Sequence, residues 1–273
     1  MAIDGARTME STPDGPAEFF RLCGRSVVRL CNNTGEVTML GVATLRAIFR
    51  YRWDMGEIFH HCFFIGNRSL GIVFLISVFT GMVLSLQFIV GLSRFGLTLY
   101  TGQIVGLSIT RELGPVLTSL MVAARVGSGI AAELGSMVVT EQVLAIQAMG
   151  ANPIQKLVVP RAIATLISVP LLTVFADAVG VLGGMIVTTM ETNVTAQFYL
   201  HQIWTTVALD DYLHGIAKTV VFAGCIVLIA CHQGLRTYGG TAGVGRSTTR
   251  AVVFASVAIF IADFLLTKLL IVL

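Results

Sequence analysis

The run Ser108-Ile109-Thr110-Arg111-Glu112-Leu113-Gly114-Pro115 sets a basic and an acidic side chain inside an otherwise apolar stretch. A charge within a bilayer costs at least about 2.5 kcal/mol on insertion scales, so such a pair marks a functional site by default. Arg111 offers a planar fork of donors whose geometry suits phosphate. Neighbouring residues on a helix point about 100° apart, so Arg111 and Glu112 do not face each other and should find other partners or a substrate. Pro115 cannot donate a hydrogen bond to the Arg111 carbonyl, which predicts a kinked or unwound helix there. Charge and freed backbone together predict a polar cavity in mid-membrane rather than a lipid-facing surface. The plainer alternative is a pair that locks two helices together.

Other chemistry is sparse. Asp177 and Asp263 also fall in apolar runs. They would suit an aspartyl protease or a proton-coupled carrier, but the protease context is missing, and no serine-protease or HExxH motif is present. Buried aspartates hydrogen-bonded to a neighbouring helix are the expected case. No GxxxxGK[ST] run occurs, so ATP, if used, must be bound by another chain. The five cysteines form no CxxC pair and read as apolar filler rather than a disulfide or metal framework.

The elements that must position these residues follow from composition. The chain has 273 residues, 55% hydrophobic and 12% charged. Its mean hydropathy is +0.83. Soluble domains carry roughly 25% charged residues, so an ordinary soluble enzyme is excluded, and so is a disordered chain. An all-α polytopic membrane protein remains. Its net charge of +3 gives no reason to expect nucleic acid. Uncharged or nearly uncharged runs at 69–93, 95–132, 162–190, 219–235 and 251–273 predict five transmembrane helices. The loop expected after the second span holds Arg125, Lys156 and Arg161, and that after the fourth holds Arg236, Arg246 and Arg250. The opposite loops carry Arg94 in one case and Glu191, Asp210, Asp211 and Lys218 in the other. This asymmetry predicts a cytoplasmic N-terminus and an outward-facing C-terminus.

Two short helices are expected outside the spans. Arg21, Arg25 and Arg29 recur every fourth residue, which predicts a basic amphipathic helix lying on the cytoplasmic leaflet; a helix packed on another chain would look similar. Thr140 to Gly150 reads as a helix with Thr140 as N-cap, Glu141 in the first turn and Gly150 as C-cap glycine. It could plug into a cytosolic motor or rest on the membrane. Before it, Ala123, Gly127, Ala131 and Gly135 form a small-residue stripe, with Ala124, Ser128, Ala132 and Ser136 beside it. Such stripes let helices approach closely, within one chain or between two copies. The N-terminal 20 residues carry acids and no apolar run, unlike a signal peptide or a transit peptide.

These residues together resemble the MlaE/YrbE family, the permease subunits of lipid ABC transporters. The likeness covers roughly residues 60–270. It rests on Arg111 to Val116, Ala124 to Ser128, Ala132 to Gly135, Thr140-Glu141-Gln142 and Ala148 to Pro153. It continues through Pro160-Arg161, Gly243 to Val252 and Asp263 to Thr267.

The resemblance implies a cytoplasmic N-terminal segment over 1–60 and a permease domain over 61–273. It implies a homodimer whose copies each sit on an ABC ATPase, which alone binds ATP and Mg; this chain would hold no cofactor and no metal, and catalyse nothing. Glu141, Gln142, Ala145, Met149 and Gly150 would couple to the ATPase. An MCE-domain protein would cap the outer face, and a STAS-domain protein joins some such complexes. The substrate would be a phospholipid or related membrane lipid, moved between inner and outer membranes. Arg111, Glu112, Gln87, Leu84 and Phe88 would line its site. The missing transit peptide favours a bacterial inner membrane with a periplasmic C-terminus. A stand-alone carrier driven by an ion gradient, with Asp177, Asp263 and Glu112 as proton sites, and a scaffold for the outer ring are the other classes.

Overall fold

A computed structural model describes residues 16–50 and 55–272, and every regular element among them is helical. In chain order they are α1 (Pro16–Arg50), α2 (Met55–Ser93), α3 (Thr98–Val139), α4 (Gln142–Ala148), α5 (Ile154–Glu191), α6 (Ala196–Thr206), α7 (Leu209–Leu235) and α8 (Gly240–Val272). Five of them, α2, α3, α5, α7 and α8, are long and apolar enough to cross a membrane. The expected count holds, but the helices reach past the uncharged runs: α2 starts at Met55, and Arg125 falls inside α3 and Lys156 and Arg161 inside α5 rather than in a loop. α7 starts at Leu209, so Asp210, Asp211 and Lys218 belong to a span rather than a loop. α8 starts at Gly240, so Arg246 and Arg250 lie in its first turns. A hydropathy run stops at a charge, whereas the helix continues wherever that charge finds a partner.

Glycines bring the backbones together. A Cβ at Gly81 on α2 would collide with the Gly180 carbonyl on α5, and one at Gly183 would sit 2.5 Å from the Val78 carbonyl oxygen. The stripe on α3 packs within this chain. Ala123 and Ala131 are fully buried, Gly127 faces Ile226 and Ala230 of α7, and Gly135 abuts Thr237 beyond it. The neighbouring stripe differs, with Ala124 and Ser136 exposed and Ser128 and Ala132 half-buried. The main core joins Val122, Leu134, Val169, Phe222, Ile226 and Ile259 from four spans.

Pro115 neither kinks nor unwinds α3 in the way expected. Residues Ile109–Leu113 form a π-turn, in which the Gly114 N–H reaches back to the Ile109 carbonyl. That extra residue places Pro115 at the first positions of the following α-segment, where a missing N–H costs little. Further π-turns occupy Ala123–Gly127 and Ile154–Val158.

The N-terminal helix extends well beyond the basic repeat. The side chains of Arg21, Arg25 and Arg29 lie outside the described residues. Further along, Ala47 packs with Ile58, Val159 and Ile163, while Gly41 lies against Leu228. Glu36 on α1 accepts from Arg236, and its Oε2 lies 3.0 Å from Nε2 of His232. The His232 contact is the main cause holding the Glu36 carboxyl below its ordinary pKa, with Arg236 assisting.

Candidate functional site

The charge pair meets partners on two other helices. Lys218 on α7 is buried, and its Nζ donates to Glu112 Oε1 at 2.8 Å, Asp263 Oδ1 at 3.2 Å and Thr267 Oγ1 at 2.7 Å. It also donates to the Arg111 main-chain carbonyl at 3.2 Å, the carbonyl that Pro115 leaves without its α-helical partner. The Thr267 hydroxyl donates to Glu112 Oε1 at 3.3 Å. Arg111 Nε lies 3.3 Å from Asp211 Oδ1 on the first turn of α7. The ammonium thus spends its donors on four oxygens, which is how a buried cation avoids the desolvation penalty of an unpaired charge.

Lys218 comes nine residues after the start of α7, and Asp263 nine residues before the last described residue of α8. At 1.5 Å per residue both lie about 14 Å from those helix ends, with Thr267 closer still. The cluster thus unites the first halves of α3 and α7 with the second half of α8. Arg111 and Glu112 therefore do find partners elsewhere, as their divergent directions require, and the pairs tie three spans together.

A cavity of about 240 Å³ opens beside these charges. Arg111, Glu112, Lys218, His214, Ser108 and Thr267 supply its polar lining, and Leu107 and Leu270 its apolar one. Among the described residues no hydrogen bond reaches Glu112 Oε2 or the terminal guanidinium nitrogens of Arg111. His214 Nδ1 is likewise buried without a partner.

The residues expected on α2 lie apart from this cavity. Leu84 and Phe88 pack against Val105, Ile109 and Tyr199. Gln87 is exposed and borders a separate depression of about 320 Å³ with Phe79, Thr80, Val83 and Leu84. Within one chain α2 runs along α5, while Arg111 turns toward α7 and α8. Asp263 is ion-paired as described, but Asp177 is not the hydrogen-bonded aspartate expected. Its buried Oδ1 has no partner and lies against Gly114 at the end of the π-turn.

Lys218, Asp211, His214 and Thr267 complete the cluster and are not among the site residues expected from sequence, where Asp211 and Lys218 read as loop charges. One signal was available: Asp211, His214 and Lys218 follow an i, i+3, i+7 spacing that puts them on one helix face. Asp263 and Thr267 repeat it at i, i+4.

At the other end of α3, the chain makes a tight corner into α4. Thr140 does not cap α4; its hydroxyl donates back to Ser136 and ends α3. Glu141 is the N-cap, with a left-handed φ of 59°. The preceding turn leaves Glu141 no place in the first helical turn. Gly150 does end the helix, with φ 77°. The Gly150 N–H reaches Gln147 O and the Ala151 N–H reaches Ile146 O, the paired bonds of a Schellman motif. Val143 and Ile146 pin α4 to the core. Glu141, Gln142, Ala145, Met149 and Gly150 all remain exposed, as does Leu144.

Comparison with known proteins adds the family. A model described as Permease MlaE matches residues 58–269. A probable ABC transporter permease protein of Rickettsia typhi is 39% identical over 249 residues, covering 91% of this chain and 96% of its own. The protein trigalactosyldiacylglycerol 1, chloroplastic, of Arabidopsis thaliana is 39% identical over 203 residues, 74% of this chain and 58% of that one. A probable ABC transporter permease protein of Synechocystis is 40% identical over 132 residues, 48% of this chain and 50% of its own.

Proposed function

This chain belongs to the MlaE permease family, and on that premise we propose that it forms the membrane path of an ATP-driven transporter of phospholipids or related lipids between inner and outer membranes. The observation that carries the reading is the polar cavity at Arg111 and Glu112 beside otherwise apolar spans. It is too small for a whole lipid but suited to a headgroup, with Arg111 as the phosphate partner. Leu84, Phe88 and Gln87 would meet the acyl chains along α2. The name of the Arabidopsis relative is that of a glycolipid, which supports a lipid cargo.

ATP and Mg would be bound by a partner ABC ATPase. The exposed face of α4, held rigid by its Schellman end and its two apolar anchors, supports coupling through Glu141, Gln142, Ala145, Met149 and Gly150. The second small-residue stripe on α3, only partly covered within the chain, supports a homodimer. An MCE-domain protein on the outer face and a STAS-domain protein complete the proposed assembly. The basic residues at the helix ends around α4 and around the α7–α8 turn support a cytoplasmic N-terminus and a periplasmic C-terminus, in a bacterial inner membrane.

A mild-detergent pull-down of the tagged chain, with mass spectrometry of proteins and lipids, tests this. Recovery of an ABC ATPase and excess phospholipid is expected. Recovery of the chain with neither, even after cross-linking, would overturn it.

A further inference from the structure

The charges around the cavity do not balance toward an anion site. Glu112, Asp211 and Asp263 contribute three carboxylates against the two cations Arg111 and Lys218. Lys218 is saturated by four oxygens. Of the charged groups lining the cavity, those left open to a ligand are the terminal nitrogens of Arg111 and Oε2 of Glu112. One is a donor pair of positive charge; the other is an acceptor of negative charge.

From this we infer that the site selects a zwitterionic lipid headgroup, with Glu112 as the specificity-determining residue. The inference rests on the lipid-transport reading above. A phosphodiester meets Arg111, and an ammonium two carbons away meets Glu112 Oε2. A phosphatidylglycerol headgroup gains the Arg111 contact but offers Glu112 only neutral hydroxyl donors, without the opposite charge of an ammonium. It also adds a charge to a cluster that already carries an excess of carboxylates. Opposite charges across a half-exposed contact are worth a few tenths to about 1 kcal/mol, which is about a two- to fivefold preference.

The test is the lipid bound to the intact complex, purified in mild detergent from membranes containing both phosphatidylethanolamine and phosphatidylglycerol. The bound ratio is compared with that of the source membrane. The wild-type complex should enrich phosphatidylethanolamine about two- to fivefold. The variant Glu112→Gln, which keeps the shape and an oxygen for Lys218, should bring the bound ratio back to that of the membrane. Bound lipid with no enrichment, or with phosphatidylglycerol enriched, overturns the headgroup assignment and leaves lipid transport standing. Enrichment that survives in Glu112→Gln overturns the role of Glu112. A complex that binds no phospholipid overturns the lipid reading itself.

Discussion

Lys218 donates to the Arg111 carbonyl at 3.2 Å, across two helices, at the point where Pro115 deprives that carbonyl of its helical donor. The same ammonium neutralises Glu112 and Asp263. One side chain therefore satisfies the backbone defect and the charge excess that a proline and two acids introduce. Removing one partner of a buried pair strands the others.

The substitution Lys218→Met should accordingly be severe. It leaves Glu112 and Asp263 facing each other without a counter-charge and should cost about 3 kcal/mol, the low end for a buried pair because Glu112 is partly exposed. Thermal unfolding of the purified protein measures it. The triple change Lys218→Met, Glu112→Gln and Asp263→Asn should recover much of the loss. A single variant as stable as wild type would show that the network contributes nothing to stability.

Gly215 is expected to tolerate no larger residue. A Cβ there would collide with the Thr110 carbonyl of the π-turn, and backbone cannot move aside as a side-chain tip can. Gly215→Ala should destabilise by about 1–3 kcal/mol, the range for overpacking. Gly224, which has nothing within 4 Å of its Cβ position, is the control and should accept alanine freely. Comparing the melting temperatures of both variants decides whether close approach or mere helix propensity governs the site.

Much of this arrangement was legible in sequence, and what was missed has separate physical causes. The spans, the Arg111-Glu112 signal and the Gly150 helix stop are local patterns, readable within a few residues. Lys218 was assigned to a loop because a hydropathy run ends at a charge. Its burial depends on Glu112 and Asp263, 106 and 45 residues away. The π-turn was missed for a different reason. The sequence announces that Pro115 must be accommodated, but whether by kink or by a widened turn is settled by packing against α5 and α7. The small-residue stripe was recognised, and only the structure reveals α7 as its partner.

The α1 contact should depend on pH. The Glu36 carboxyl is held below its ordinary value by His232 and Arg236. A group with a depressed folded pKa lends stability above its unfolded pKa and loses it as pH falls through the folded one. Docking of α1 should therefore persist through neutral and mildly acidic pH and weaken only below the usual carboxylate range. Hydrogen exchange across residues 36–50 reads this directly. Glu36→Gln should raise exchange at neutral pH to the level wild type reaches in acid. Exchange that is insensitive to both would show that the apolar contacts of α1 suffice.

Coupling should fail without unfolding when the exposed face of α4 is altered. Glu141→Lys should weaken association with the ATPase, measured by co-purification and by stimulation of ATP hydrolysis, while leaving the melting temperature of this chain unchanged. Val143→Asp, which attacks the anchored face instead, should lower stability as well. If Glu141→Lys bound and stimulated the ATPase like wild type, the face would be wrongly assigned.

The most direct measurement is transfer itself. The chain and its co-purifying ATPase are reconstituted into liposomes, and movement of a labelled phospholipid to acceptor vesicles is followed with and without ATP. Transfer that requires ATP, and falls sharply in Arg111→Ala while the complex still assembles, is the predicted result. Transfer driven by an ion gradient in the absence of the ATPase, or an assembled complex that hydrolyses ATP but moves no lipid, would contradict the account.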